Sequence, residues 1–210
     1  MLMRVVKSLG WATAVVGLLL VGQAGMSPQG RLAADEDPYL TGQLLVATPE
    51  MSDPRFVQTV IYIIKHDPSG AMGLVVNRPV AKGSIADLLQ FLEAESEGAK
   101  GEIILHYGGP VEPEQGFVLH TEDYIGDGTK VVRDGIAVTT NVELLRALSL
   151  GKGPRQSLFL FGYAGWAPGQ LEAEIKANAW FSISAEKDLI FGADAENKWQ
   201  RAMDKRKIRL

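Results

Sequence analysis

Ser157-Leu-Phe-Leu-Phe-Gly-Tyr-Ala-Gly-Trp-Ala-Pro-Gly169 carries an apolar run straight into a turn built of glycines and aromatics. The run from Ser157 to Tyr163 has the length and unbroken hydrophobicity of a strand covered on both faces. Behind it, Pro168 stands where the first turn of a helix tolerates a missing N–H, and the pattern predicts a helix from Pro168 to Asn178. A buried strand that feeds directly into a helix calls for a sheet with helices packed against it.

Upstream of this stretch, short β-branched runs predominate. Leu44 to Thr48, Val57 to Lys65 and Ala71 to Val76 read as strands, the last two joined by the turn His66-Asp67-Pro68-Ser69-Gly70 into an antiparallel hairpin. Glu102 to Tyr107 and Gly116 to Thr121 flank Gly108-Gly109-Pro110, and Lys130 to Val138 is a strand region broken by a turn at Asp134-Gly135. Capping patterns signal two helices. Ser84 with Asp87 precedes the helical spacing of Ile85, Leu88, Leu89 and Leu92, and Thr140 with Glu143 precedes Leu144, Leu145 and Leu148. Downstream, Leu189 to Gly192 reads as a short strand and Asp194 to Met203 as a last helix. Adjacent strands with interspersed helices predict an α+β layer fold rather than a regular βαβ wind.

The chain has 210 residues, 46% hydrophobic and 22% charged, which suits one globular domain. Its 21 basic and 25 acidic residues give a net charge of -4, which speaks against a nucleic-acid partner. The lack of cysteine excludes disulfides, thiol catalysis and cysteine-held metal. The sequence has no Gly-x-Ser-x-Gly elbow, phosphate-binding loop or dinucleotide fingerprint, so the usual hydrolase, nucleotide-hydrolase and dehydrogenase mechanisms lose their main support.

The first residues differ from the rest. Arg4 and Lys7 precede the apolar run Leu9 to Val21, and Gly22-Gln23-Ala24 offers small residues at a cleavage position. That layout predicts a signal peptide over 1–24, with an uncleaved membrane anchor as the competing expectation. Either one places the body of the protein in the periplasm, or on the inner membrane facing it, with membrane contact only through residues 1–24. Without those residues the chain keeps 19 basic and 25 acidic residues, a net charge of -6. Residues 25–38, polar and proline-bounded, read as a linker to a domain over 39–210.

Four segments, in order, carry a family resemblance. They are Gly42-Gln43-Leu44-Leu45-Val46-Ala47-Thr48-Pro49, then His66 through Pro79 with Gly73-Leu74-Val75-Val76-Asn77-Arg78, then Gly108-Gly109-Pro110-Val111 with Gly116-Phe117-Val118-Leu119-His120, and Gly162-Tyr163-Ala164-Gly165-Trp166 with Gly169-Gln170-Leu171-Glu172 and Asn178-Ala179-Trp180. Together they resemble the YqgE/AlgH family of bacterial proteins, over about Leu40 to Ala202. The resemblance implies a mixed, largely antiparallel, partly barrel-like sheet with surrounding helices, and no particular chemistry. The names of some members imply a cytoplasmic, transcription-linked regulator. The leader departs from the family pattern, as does the short basic tail Lys205-Arg206-Lys207-Ile208-Arg209-Leu210, which reads as a solvated helix end.

No catalytic residue is assigned. His66, His106 and His120 are the only histidines, their spacing matches no metal motif, and each is expected to be structural; no cofactor is expected. Glu172 and Lys176 read as a surface i,i+4 pair. Candidate ligand contacts fall at strand ends: His66, Asn77 and Arg78 around the first hairpin, Gly109 and His120 around the third segment, and Tyr163, Gly165, Trp166 and Gly169 in the strand-to-helix turn. Free N–H groups in that turn suit an anion, but the favoured expectation is a tight crossover in which Tyr163, Trp166 and Trp180 cover the core. The leading expectation is a non-catalytic binding or regulatory module whose partner is an unknown protein. The alternative is an enzyme or sensor for a small anionic ligand.

Overall fold

The computed structural model describes residues 38–208. The expected leader, 1–24, and all but the last residue of the expected linker lie outside the described residues. In chain order the elements are β1 (Gln43–Ala47), β2 (Val60–Asp67), β3 (Gly70–Val75), β4 (Pro79–Ser84), α1 (Ile85–Phe91), β5 (Glu102–Tyr107), β6 (Val111–Thr121), β7 (Thr129–Arg133), β8 (Ile136–Thr139), α2 (Glu143–Ser149), β9 (Ser157–Trp166), α3 (Gln170–Lys176), β10 (Trp180–Ser184), α4 (Lys187–Phe191) and α5 (Lys198–Ile208).

The strands form a curled half-barrel in the order β10-β1-β2-β3-β9-β6-β8-β7, with β4 and β5 branching from β9. The branch is legible in the pairing of β9. One edge takes β6 antiparallel; the other takes β5 in parallel over Phe159 to Phe161 and then β3 antiparallel over Ala164 to Trp166. Gly162, at φ +71°, lies between those two partners and turns the strand from one to the other. Gly108 fills the fork: its N–H donates to Phe161 O at 2.7 Å and its carbonyl accepts from Val75 N–H at 2.9 Å. Space there is exhausted. A Cβ on Gly109 would stand 2.0 Å from the Tyr163 carbonyl carbon, and one on Gly162 2.3 Å from Gly109 O.

Alternation along β1 and β2 sends side chains to two cores. Leu44, Tyr62, Leu74, Leu119 and Leu160 pack under Leu189, Ile190 and Ala202, whereas Leu45, Ile61, Ile63 and Trp166 pack under Leu171 of α3. A third cluster joins Leu89 of α1 and Leu144 of α2 to Phe159. Among the described residues, no helix is long and apolar enough to cross a membrane.

Several expectations need correction. Leu189 to Gly192 is not a strand: a short apolar run fits one helical turn as well as a strand, and Leu189 and Ile190 are fully buried in α4 with their N–H groups bonded to Glu186 O. The last helix starts at Lys198 rather than Asp194, because the Asn197 side chain ties back to both Asp194 oxygens in a separate turn. Thr140 does not cap α2; Asn141 Oδ1 accepts the Glu143 N–H at 2.9 Å instead. Ser84 does cap α1, accepting from Asp87 N–H at 3.0 Å. The tail is not merely a solvated end: Lys205 pairs with Glu186 at 2.6 Å, and the Arg206 guanidinium lies 4.6 Å from the Phe181 ring centre.

Candidate functional site

Where β9 ends, Trp166 drops into the core and the chain turns through Gly169, whose φ of +75° caps α3. One helix later, Asn178, also left-handed at φ 60°, reverses the chain into β10 and delivers Trp180 beside Trp166. The two indoles meet edge to face, 6.0 Å apart. Glu174, on α3 between them, is the hub. Its Oε2 accepts Nε1–H from Trp166 at 2.9 Å and from Trp180 at 2.8 Å, and its Oε1 accepts from Gln170 Nε2 at 2.8 Å. All three donors are neutral, so the carboxylate is held without a cation against it.

Phe56 stacks edge-on against Trp180 at 5.6 Å and completes an aromatic wall. These side chains line a cavity of about 410 Å³. At its edge Arg55 grips Asp53 at 2.6 Å, and that guanidinium holds the Asp53 carboxyl below its usual range. The cavity therefore combines aromatic faces, one internally compensated ion pair and one carboxylate that is in no ion pair among the described residues.

The candidate residues read from the sequence converge only in part. Gly165 and Trp166 line this cavity, and both also line a shallow depression with Tyr163 and Lys65. Tyr163 donates to Glu112 at 3.3 Å, and Gly109 is buried in the fork against its backbone. Within the turn, Ala167 N–H donates to Gln170 Oε1 and Gln170 N–H to Ala167 O, each at 3.0 Å. Asn77 and Arg78 hold the preceding loop instead of standing open: Asn77 bridges Val60 N–H and Gln58 O, and Arg78 Nη2 donates to Val57 O and Thr59 Oγ1, both at 2.9 Å.

His66 is buried. Its Nδ1 accepts Leu40 N–H at 3.0 Å, so the ring proton sits on Nε2 and donates to Glu172 Oε1 at 2.9 Å. Glu172 is thus more than half of a surface pair with Lys176; it ties α3 to β2. His120, fully buried, bonds Thr121 O and Thr139 Oγ1, each at 2.8 Å. Burial lowers the pKa of His120, and likewise of His106. Below about pH 6.5 the unfolded chain takes up protons at these two rings that the folded chain refuses, so stability falls as pH falls. Urea midpoints at pH 7.5 and 5.0 check this, with the lower midpoint expected at pH 5.0.

Sequence reasoning missed Phe56, Glu174 and Trp180 as one constellation. The available signal was two tryptophans bracketing a seven-residue helix whose Gln170 and Glu174 share a face.

Comparison with known proteins identifies the family of the chain. A family model described as DUF179: AlgH-like matches residues 44–210. A UPF0301 protein of Afipia carboxidovorans is 46% identical over 80% of this chain and 83% of its own length. Another, of Rhodopseudomonas palustris strain HaA2, is 43% identical over 87% and 88%. The solution structure of the AlgH protein from Pseudomonas aeruginosa is similar with a TM-score of 0.69 and 37% identity, covering 80% of this chain and 89% of that one. The crystal structure of DIP2367 from Corynebacterium diphtheriae, 21% identical with a TM-score of 0.63 over 81% and 88%, shares the fold. With the forked, curled sheet and a match over nearly the whole described chain, the protein belongs to the AlgH-like family.

Proposed function

We propose that the chain is a non-catalytic binding or regulatory module that acts outside the cytoplasm and takes an ammonium- or guanidinium-bearing partner group in the Phe56–Trp166–Trp180 cavity. The observation that carries this is the Glu174 carboxylate, fixed by two indole N–H groups in an aromatic wall and, among the described residues, in no ion pair, while Arg55 at the cavity's edge is engaged with Asp53. Aromatic faces and a half-buried carboxylate both attract a cation, and together they favour it over an anion. The charge–apolar–small layout of residues 1–24 supports the location. The acidic balance supports a partner other than nucleic acid, so no salt-sensitive, sequence-selective DNA complex is expected at submicromolar protein.

Tryptophan fluorescence tests the ligand class, because two of the four tryptophans wall the cavity. Choline and methylammonium should shift the emission saturably, and acetate or phosphate should not. Glu174→Gln keeps an acceptor for the indoles while removing the charge, and should abolish the response with little change in melting temperature. A response to the anions alone, or an unchanged response in the variant, overturns the reading. Location is tested separately by fusing residues 1–24 to a reporter active only outside the cytoplasm; an inactive reporter with intact precursor in the cytosol sinks it.

A further inference from the structure

A second cavity, of about 440 Å³, lies where β5 presents Glu102, Ile104 and His106 toward Phe191, Gly192 and Lys198. Two of its residues are almost wholly buried and polar. Lys198 is 1% exposed, and its Nζ donates to Val76 O at 3.0 Å and to Ile190 O at 2.5 Å. An ammonium has three N–H bonds, and the third has no acceptor among the described residues. His106 is 5% exposed, with Nδ1 3.2 Å from Ile104 O and 3.3 Å from Phe159 O. Carbonyls only accept, so Nδ1 carries the ring proton and Nε2 keeps a bare lone pair with no donor among the described residues.

Charge and shape narrow what fits. Burial pulls the Lys198 pKa down to about 8, with Arg201 adding to the effect and Asp188 and Asp194 opposing it. Burial lowers the His106 pKa, with the bond to Phe159 O opposing it and the charge of Lys198 adding to it. At the rim Lys100 stands near Glu102, which is already engaged with Lys82 at 2.6 Å. The cavity thus offers a positive field, one charged donor and one acceptor. Apart from Ser157, the remaining side chains of the wall, including Ile103, Leu148 and Phe191, are apolar. An acceptor-only anion would satisfy Lys198 and leave the His106 lone pair desolvated; an amine would be repelled.

We propose that this cavity binds a small hydroxycarboxylate with an apolar body, its carboxylate accepting from Lys198 Nζ and its hydroxyl donating to His106 Nε2. The site is separate from the aromatic cavity of Glu174, and the two stand or fall independently.

Thermal shift and calorimetric titration of the whole chain test it, with phenyllactate, 3-phenylpropionate, phenethylamine and inorganic phosphate as probes. Phenyllactate should stabilise saturably, 3-phenylpropionate should bind about tenfold more weakly for want of one hydrogen bond, and the other two should do nothing. His106→Phe keeps the ring volume and should make the two acids equal. Ile104→Trp, at a side chain half exposed on the rim, fills the mouth with Lys198 and His106 intact and should abolish both. No response to phenyllactate, an equal response to phosphate that survives Ile104→Trp, or an undiminished preference for phenyllactate in folded His106→Phe would each overturn the proposal. If His106→Phe does not fold, the Ile104→Trp comparison still decides.

Discussion

Gly109→Ala is expected to leave no cooperatively folded protein at 25 °C. The residue sits at φ +154°, and an added Cβ would lie 2.0 Å from the Tyr163 carbonyl carbon and 2.3 Å from its oxygen. Both obstacles are backbone, so no side chain can rotate away, and the fork between β5 and β9 must open. Such a change belongs with the exceptional losses above about 4–5 kcal/mol, comparable to the whole stability of many domains. Gly162→Ala meets the same obstruction from the other strand, 2.3 Å from Gly109 O. The turn glycines make the contrast. At Gly165 the first obstacle is the movable Tyr163 ring at 3.3 Å, and at Gly169 there is open space with only the φ of +75° to resist. Alanine at Gly169 should cost about 1–2 kcal/mol, and at Gly165, whose φ is not positive, less than that. Urea denaturation followed by circular dichroism ranks the four variants; a native-like midpoint for Gly109→Ala would show that the fork is slack.

Trp166→Ala is expected to cost about 3–5 kcal/mol. The indole is 7% exposed, belongs to the core beneath Leu171, and meets Trp180 edge to face. Its removal merges the core with the neighbouring cavity and takes one of three hydrogen bonds from Glu174. Trp166→Phe keeps one aromatic ring but loses the N–H together with part of the indole, so it should cost less than Trp166→Ala and more than the hydrogen bond's own share of about 1–2 kcal/mol. A Trp166→Ala midpoint within error of the parent would mean that the aromatic wall contributes nothing to the fold.

The sheet was legible where the periodicity of two was strong and both strand ends were punctuated. Glu102–Tyr107 emerges with its expected bounds, and the interruption at Asp134-Gly135 separates β7 from β8. It failed where a strand carries little hydrophobic signal. β4 reads Pro-Val-Ala-Lys-Gly-Ser, mostly exposed, and is a strand only because β5 pairs with it. β10 was hidden behind a helix whose end is set by the left-handed Asn178. The site shows the same limit. Gly165 and Trp166 announce a packed turn, but Phe56 reaches that turn from before β2, and nothing local to it signals the contact. The buried Lys198 was invisible for a related reason, since a lysine opening a polar helix looks solvated until the carbonyls that hold it are placed.

The fork also sets the order in which this chain can be completed. β9, the strand that joins the β3, β5 and β6 segments of the sheet, begins only at residue 157 of 210. Before it emerges during synthesis, β1 to β3, β4 with β5, and β6 to β8 can pair as separate small ribbons, each leaving open the edge that β9 will occupy. Because these closures are long-range in sequence, they come late and slowly. Until the last quarter of the chain arrives, those ribbons therefore stay unjoined and their edges stay open to wrong pairing.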